Sequence, residues 1–131
     1  PISDQKDIDL KLSITDDAKP YFLNYPFDKV RLKQAFTNLL KNSVEAAKPG
    51  GFIHVECSLC NKNLIVAFHN SGDPISKEDQ LKIFKPNVTS KPTGTGLGLP
   101  ISKSIILSHM GDIDIVSTDE KTSVIITLPI H

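Results

Sequence analysis

The sequence predicts an α+β fold in which helices cover one face of a single β-sheet. Strand-like segments occur in runs, and the helical segments are segregated from them, which is the pattern of this class. The chain has 131 residues, 39% of them apolar, so it is long enough to bury one hydrophobic core. No repeat, linker or low-complexity stretch interrupts it, and we therefore expect a single domain over residues 1–131.

Six segments show strand patterns. Residues 8–14 alternate apolar and polar side chains, as a half-buried strand does. Residues 52–59 and 64–68 are predicted to pair, with Asn61-Lys62-Asn63 as the turn between them. The remaining strand candidates are residues 21–25, 113–116 and 124–128.

One long helix is predicted between residues 28 and 48. Asp28 can cap its start, and Pro49-Gly50-Gly51 ends it. Its apolar positions recur with helical spacing and share one face. They are Leu32, Phe36, Leu39, Leu40, Val44 and Ala47.

Two further helices are predicted in the second half of the chain. Residues 76–81 form a short helix with Ser76 as its cap. Residues 97–110 form an apolar helix, which Gly111 is expected to end in the left-handed conformation. The segment 84–96, rich in Pro, Gly and Thr, is predicted to be a loop that leads into this last helix.

The composition excludes several classes of protein. Lys plus Arg and Asp plus Glu number 15 each, so no excess charge favours nucleic acid or an anionic membrane. No apolar run approaches the roughly 20 residues of a membrane span, and the polar start is not a signal peptide. Because the initiator Met is missing, we expect a fragment of a larger protein. The two cysteines, Cys57 and Cys60, favour a reducing cytosol, and without a second pair they make no zinc site.

A stripe of amide and carboxylate side chains follows the long helix. At about 100° per residue its members fall opposite the apolar face, and they are Gln34, Asn38, Asn42 and Glu45. A solvated helix face is usually built from Lys and Glu, whereas Asn is a poor helix former. Two Asn residues one turn apart therefore indicate bound partners, and an amide oxygen is a hard ligand suited to Mg²⁺. For Glu45, a structural pairing with Lys41 or Lys48 stays equally open.

A glycine-rich run leads directly into the last helix, with the sequence Thr93-Gly94-Thr95-Gly96-Leu97-Gly98-Leu99. Glycines let the backbone come close to a ligand, and the free amides at a helix N-terminus favour phosphate. The spacing does not match the dinucleotide fingerprint, and no Gly-Lys pair exists for a Walker A loop. The run is therefore a candidate phosphate site, with a merely flexible turn as the alternative.

Four motifs occur in an order that resembles a known family. They are Asn38-Leu39-Leu40-Lys41-Asn42-Ser43-Val44-Glu45-Ala46, Asn70-Ser71-Gly72-Asp73-Pro74-Ile75, Ile83-Phe84-Lys85-Pro86 and Gly94-Thr95-Gly96-Leu97-Gly98-Leu99. They are similar to the N, G1, F and G2 boxes of sensor histidine kinases, which share an ATPase superfamily with gyrase, the heat-shock chaperone and the mismatch-repair protein. The segment Thr89-Ser90-Lys91 resembles the nitrogen-regulation and sporulation kinases. The resemblance covers nearly the whole chain.

The resemblance implies a Bergerat-type two-layer sandwich, in which a mixed, mostly antiparallel sheet packs against three helices and a mobile lid covers ATP. It implies the ATP-binding catalytic domain of a protein histidine kinase, which positions Mg-ATP for transfer of the γ-phosphate to a histidine on a separate helical domain. Phosphoryl transfer needs positioning and charge neutralisation more than covalent protein chemistry. No side chain of this domain is therefore assigned as catalytic.

The resemblance also implies which residues bind ATP and magnesium. Asn42 would carry the Mg²⁺, with Asn38 beside the phosphates. Apart from the resemblance, the place of Glu45 on the polar stripe makes it a candidate to orient a metal-bound water, with the pairing to Lys41 or Lys48 equally open. Asn70 takes the place of an adenine-recognising Asp, and Gly72 lets the backbone pass close to the base. The other implied contacts are Ile75 on the base, Phe84 as the lid anchor, Lys91 at the terminal phosphates, Thr122 holding a water at the adenine, and Thr93, Gly94, Thr95, Gly96, Leu97, Gly98 and Leu99 around the triphosphate.

Three residues depart from the family pattern. Asn70 can accept a hydrogen bond from the adenine amine but carries no charge, so we expect adenine binding to be weaker by on the order of 1 kcal/mol. An amide can also turn over to pair with guanine, which predicts relaxed base selectivity. Pro74 replaces a glycine and should stiffen the turn. Asn38 stands where hydrolytic relatives have a Glu that activates water, and an amide cannot accept the proton.

Two other functions stay open at this stage: an ATP-hydrolysing clamp of the gyrase type, and a nucleotide-binding regulatory module without transfer activity. Expected partners are ATP or ADP, the helical dimerisation and histidine phosphotransfer domain of the same protein, and a downstream response regulator. Nucleic acid is not expected, because no aromatic side chains accompany the lysines near the lid. We expect a homodimer for the full-length protein, a monomer for the isolated domain, and a cytoplasmic location, with a membrane anchor elsewhere in the protein left open.

Overall fold

The computed structural model describes residues 7–24, 29–82 and 98–130. In these residues five strands form one sheet: β1 (Asp9–Ile14), β2 (Phe52–Cys60), β3 (Asn63–Asn70), β4 (Asp112–Ser117) and β5 (Thr122–Pro129). Four helices occur in the same ranges: α1 (Lys19–Asn24), α2 (Lys29–Ala46), α3 (Lys77–Lys82) and α4 (Gly98–Ser108). None of these helices is long and apolar enough to cross a membrane.

The sheet has the strand order β1-β2-β3-β5-β4. The strands β1 and β2 run parallel, and the other three neighbouring pairs run antiparallel. Asn61 and Lys62 connect β2 to β3 with φ values of 49° and 64°, the backbone that a tight two-residue hairpin requires. The expected mixed, mostly antiparallel sheet is thus confirmed.

The hydrophobic core lies between one face of the sheet and the helices α2 and α4. Alternate residues of β3 point into it, because successive side chains of a strand point to opposite faces. Phe36 of α2 lies between Phe22 of α1 and Phe68 of β3, with ring centroids 6.3 and 6.1 Å away. Ser102 of α4 donates a hydrogen bond of 3.2 Å to the carbonyl of Ala35 in α2, which joins the two helices.

The expectation of a strand at residues 21–25 is wrong, because helix α1 spans Lys19–Asn24. The carbonyl of Thr15 accepts hydrogen bonds from the amides of Ala18 and Lys19, and these bonds start the helical turn. Phe22 then stacks on Phe36. So short an apolar run does not distinguish strand from helix, and the contact with α2 decides. The described residues therefore contain four helices instead of the three that were expected.

The end of α4 differs from the expectation, because the helix ends at Ser108 and the left-handed residue lies one position before the predicted one. Met110, with φ 61°, is the left-handed residue, and Gly111 is not. The amide of Gly111 donates to the carbonyl of Ile106 at 3.0 Å, which closes the turn as in a Schellman motif. Gly111 is needed for space instead, since a Cβ there would lie 2.4 Å from the carbonyl oxygen of Thr127.

The other predicted helix signals are confirmed where the structure describes them. Ser76 caps α3, its hydroxyl accepting a hydrogen bond of 3.1 Å from the amide of Asp79. Gly50 follows α2 with φ 75°, a conformation that favours glycine. The proposed cap Asp28 and the loop 84–96 lie outside the described residues.

The two cysteines behave as ordinary sheet residues. Both are free thiols, Cys57 buried and Cys60 exposed at the end of β2. Burial raises the pKa of the Cys57 thiol to about 11, so it stays protonated and unreactive at neutral pH. The two side chains lie three positions apart on one strand and therefore point to opposite faces.

Candidate functional site

Several of the predicted site residues meet where β3 ends and β5 begins. Asn70 is the last residue of β3, and it pairs directly with Thr122, the first residue of β5. Both side chains are buried, each with 4% of its surface exposed. Asn70 lies two residues after Phe68 and so shares its core-facing side of the sheet. The structure therefore brings these two predicted residues together at one edge of the core.

Asn70 also fixes the backbone of the loop that follows it. Its Oδ1 atom accepts a hydrogen bond of 2.8 Å from the amide of Gly72. A Cβ at Gly72 would lie 2.7 Å from that Oδ1 atom and 3.0 Å from the carbonyl oxygen of Ala46. Only glycine fits between β3 and the C-terminal end of α2, so packing by itself requires the glycine.

Two hydroxyl groups hold the same loop from the other side. Ser117 accepts a hydrogen bond of 2.8 Å from the amide of Ile75, and its Oγ lies 3.0 Å from that of Thr122. Thr122 donates in turn to the carbonyl of Asp73 at 3.5 Å, a long contact. Sequence reasoning missed Ser117, because nothing in the sequence distinguishes this serine from any other.

Ile75 is half-buried and packs against the hydrophobic core. Its carbonyl accepts a hydrogen bond of 2.8 Å from Nε2 of Gln80 in α3. Lys48 and Asp73 form an ion pair of 3.2 Å across the mouth of the loop, but both side chains are largely exposed. Such a pair contributes about 0–1 kcal/mol. The loop is therefore positioned mainly by Asn70 and the two hydroxyls.

The polar stripe of α2 becomes more buried towards its C-terminal end. Gln34 is exposed, whereas Asn38, Asn42 and Glu45 are half-buried. One carboxylate oxygen of Glu45, Oε2, is buried and has no hydrogen-bond partner among the described residues, although Glu45 and Asn42 both make other interactions. No group of three or more His, Cys, Asp and Glu residues in the described ranges is arranged to hold a metal ion by itself.

The predicted phosphate loop is described only at its end. Helix α4 begins at Gly98, and Leu99 is buried in the core. Phe84, Lys91, Thr93, Gly94, Thr95, Gly96 and Leu97 lie outside the described residues. Because α4 packs on α2, its N-terminal amides belong to the same helical layer as Asn38 and Asn42.

A second polar cluster lies on the sheet face away from the helices. His54 and His69 pair across β2 and β3, and their ring centroids are 5.9 Å apart. Nε2 of His69 lies 2.7 Å from Oε1 of Glu56, and its Nδ1 lies 2.6 Å from Oγ of Ser123. Burial, followed by the charge of Lys121, lowers the pKa of His69. The sequence alone did not connect these histidines, because their contact depends on strand register.

Comparison with known proteins agrees with this geometry. Residues 27–131 match the family described as histidine kinase-, DNA gyrase B- and HSP90-like ATPase. Sporulation kinase D of Bacillus subtilis is 40% identical over 103 residues, which make up 78% of this chain and 20% of that kinase. The chain thus spans a fifth of the length of this relative.

Solved structures show the same relationship. The catalytic domain of the histidine kinase ThkA matches with a TM-score of 0.83 and 31% identity, covering 97% of this chain and 82% of that domain. ThkA in complex with the response regulator protein TrrA matches with a TM-score of 0.76 and 28% identity, covering 98% of this chain and 36% of that one. The chain therefore belongs to the family of histidine kinase-, DNA gyrase B- and HSP90-like ATPases, as a catalytic domain of the histidine kinase type.

Proposed function

We propose that this domain binds Mg-ATP and presents the γ-phosphate to a histidine on a separate helical domain of the same protein. The observation that carries the proposal is the meeting of Asn70, Gly72 and Thr122 at one end of β3 and β5, beside the C-terminal end of α2. A buried amide next to a glycine that leaves no room for a side chain suits the flat edge of a purine.

The triphosphate would extend from this edge along α2 towards the start of α4. Asn38 would lie beside the phosphates, and the free amides at the N-terminus of α4, from Gly98 onwards, would attract them. Phe84, Lys91 and the residues from Thr93 to Leu97 are proposed as lid and phosphate contacts because their motifs resemble those of the family.

The chemistry of the α2 stripe fits a magnesium ion. Asn42 supplies an amide oxygen, and Glu45 lies three residues further along the same side of the helix. Mg²⁺ prefers oxygen ligands and usually keeps several waters and substrate phosphates, so one or two protein ligands are enough. When bound, the ion neutralises phosphate charge. We assign Asn42 as its ligand and Glu45 as the residue that orients a bound water.

Asn38 favours phosphate transfer over hydrolysis. An amide nitrogen and oxygen cannot take a proton from an attacking water. The half-buried position of Asn38 on α2 is therefore suited to holding ATP without activating water. This argues against an ATP-hydrolysing clamp of the gyrase type.

The partners of the intact protein are proposed from its relatives. This chain spans a fifth of sporulation kinase D, and the rest of that kinase is long enough for a dimerising helical domain with the phosphoacceptor histidine. We propose such a domain for the intact protein here. ThkA was solved in complex with a response regulator, so we propose a response regulator as the downstream partner here. The domain would act in the cytoplasm, as a monomer when isolated and within a homodimer in the full-length protein.

The test combines this chain with the helical histidine domain of its intact protein, ATP labelled at the γ-phosphate, and Mg²⁺. We expect label on the helical domain only when both proteins are present, because the attacking imidazole and the nucleotide site lie on different domains. Asn42→Ala should lower the rate of labelling by at least about tenfold, the effect of losing one charge-assisted contact.

Thr37→Ala is the matched control, since Thr37 is an exposed polar residue on another side of α2. It should label the helical domain at the native rate. If the chain binds Mg-ATP but never labels the helical domain, it is a regulatory nucleotide-binding module instead. Rapid release of phosphate by this chain alone would revive the hydrolytic clamp.

A further inference from the structure

The two outer edges of the sheet differ in how their backbone amides are bonded. At the β4 edge, the amides of Ile113 and Ile115 donate hydrogen bonds of 2.8 Å to the carboxylates of Asp112 and Asp114. The amide of Thr118 donates across the hairpin towards β5, so the odd-numbered amides of β4 point outwards. An added strand would therefore have to displace two carboxylates from this edge.

The β1 edge has no such bonds among the described residues. The amides of Asp9 and Thr15 donate to carbonyls on the β2 side at 3.0 Å, so the backbone groups of Leu10 and Leu12 point outwards. No described residue bonds to these two amides. Helix α2 packs over β3 and α4 over β4, which leaves the leucine side chains 53% and 68% exposed.

The sequence of this edge is complementary to its own reverse. On either side of Leu10 stand Asp9 and Lys11, and beyond them Ile8 and Leu12. If two copies pair antiparallel with Leu10 opposite Leu10, each Asp9 faces a Lys11 and each Ile8 faces a Leu12. Opposite charges and apolar side chains directly across two strands both stabilise a sheet. A pair centred on Lys11 would instead place two lysines opposite each other.

We propose that β1 pairs with β1 of a second copy of this chain, antiparallel and centred on Leu10. The outward backbone groups of the two strands bond to each other, and the two sheets become continuous. The apolar pairs lie on the side of β1 that carries the core residue Ile14, because residues two apart share a face. The charged pairs lie on the opposite side.

The pairing is weak in the isolated chain. A single short strand pair buries far less than the roughly 1,200 Å² of a stable interface. The isolated domain is therefore monomeric at micromolar concentration and pairs only at about millimolar concentration. In the homodimer proposed for the intact protein, tethering raises the effective concentration of the two copies to about that level. Only this last consequence rests on the proposed function.

A charge swap tests the pairing by sedimentation equilibrium of this chain at concentrations up to about 1 mM, under reducing conditions. Asp9→Lys should weaken self-association roughly tenfold, because both charged pairs become pairs of lysines. Adding Lys11→Asp to that variant restores opposite charges in both pairs, and the dissociation constant should return to within about threefold of native. The matched control is Asp119→Lys, the same change of charge at an exposed position between β4 and β5, which should leave self-association at its native strength.

Disulfide formation tests the register. With the exposed Cys60 replaced by serine, Leu10→Cys places two cysteines opposite each other with Cα atoms about 5.5 Å apart, within the range of a disulfide. Leu12→Cys is the control, since Leu12 is also exposed but its two copies lie about 13 Å apart along the strands. With oxidised glutathione as the oxidant, Leu10→Cys should form the linked dimer at least about tenfold faster.

Three results would overturn the proposal. They are a native chain that stays monomeric at about 1 mM, a charge swap that does not restore self-association, and equal linking rates for the two cysteine variants. None of these results affects the proposed function, because binding of Mg-ADP by the same chain is measured separately by calorimetry.

Discussion

At the scale of single residues, the loop after β3 depends on a glycine that is required for space. Gly72 lies against the Oδ1 atom of Asn70 on one side and the backbone of Ala46 on the other. Neither neighbour is the free end of a long side chain, so neither can move aside easily. The same contact that positions the loop therefore also positions the amide of Asn70.

Gly72→Ala should lower the free energy of unfolding by roughly 1–3 kcal/mol, the usual effect of overpacking a tight site. It should also weaken Mg-ADP binding, because a Cβ would displace Oδ1 of Asn70 from its 2.8 Å contact. Urea denaturation and calorimetry measure the two effects. Native affinity in a folded Gly72→Ala protein would show that this contact does not shape the site.

Gly50→Ala is the control for this prediction. Gly50 has φ 75°, but a Cβ added there would meet nothing within 4 Å, so only its backbone conformation is strained. The substitution should cost about 1 kcal/mol of stability and leave the affinity for Mg-ADP at its native value.

At the scale of one element, two residues after helix α4 together do what one glycine usually does at a helix end. One adopts the left-handed conformation, and the other allows a close contact. Met110 adopts the left-handed conformation although it has a side chain, and that side chain is 76% exposed. Gly111 supplies the close approach to Thr127 in β5. The tight contact with the sheet therefore occupies the glycine, and the strained φ falls on its neighbour.

Met110→Gly should raise the free energy of unfolding by roughly 1 kcal/mol, because it relieves the left-handed strain and loses little packing. Gly111→Ala should lower it, since a Cβ would lie 2.4 Å from the Thr127 carbonyl. Urea denaturation of the two variants beside native protein measures both signs. A loss of stability in Met110→Gly would show that position 110 is not strained in the folded protein.

At the scale of the whole molecule, the two faces of the sheet have separate roles. The helices and the candidate nucleotide site lie on one face, and a histidine cluster lies on the other. His69 contacts Glu56 and Ser123, while His54 faces it across the strand pair and contacts Ser13 through its Nε2 atom. Protonation on the histidine-bearing face is therefore expected to change the free energy of unfolding without changing the candidate nucleotide site.

The lowered pKa of His69 has a defined consequence for stability. Burial and the charge of Lys121 oppose protonation in the folded state. As pH falls through the ordinary histidine value near 6.5, the unfolded chain binds the proton first. The free energy of unfolding should therefore decline from that pH downwards and should not depend on His69 above it.

Urea denaturation between pH 7.5 and 5 measures this dependence, within about the range where histidine titrates. In His69→Gln the decline should be shallower, because the residue that resists protonation is gone. An unchanged slope would assign the pH dependence to other groups. Binding of Mg-ADP by the folded variant at pH 7.5 should be native, since His69 lies on the far face of the sheet.

Much of the fold could be predicted from local patterns. The alternation in residues 8–14 corresponds to strand β1, although Leu10 and Leu12 are exposed and the expected half-buried face is not observed. The turn at Asn61 and Lys62 corresponds to the observed hairpin. The N-cap at Ser76 is also observed. These features depend on neighbours within a few residues, which is why sequence spacing is enough to predict them. The segment 21–25 was mispredicted because its conformation depends on Phe36, far along the chain.

For the candidate site, too, some residues could be predicted from the sequence and others could not. Asn70, Gly72 and Ile75 could be named in advance because an ordered motif carries them, and Thr122 was implied by the family resemblance. Their partners could not: Ala46 meets Gly72 only because α2 ends beside the loop, and Ser117 reaches Ile75 from a strand 42 residues later.

The sequence by itself determined the class of the fold, most of its elements and the chemical types of side chain at the candidate site. Residue type and periodicity are local properties, so they can be read from the sequence without knowing which residues are in contact. Only the tertiary structure decided how the amide of Asn70 is oriented and why position 72 must be glycine. It also decided that His54 and His69 form one cluster. These depend on strand register and helix packing, which bring together groups that the chain keeps far apart.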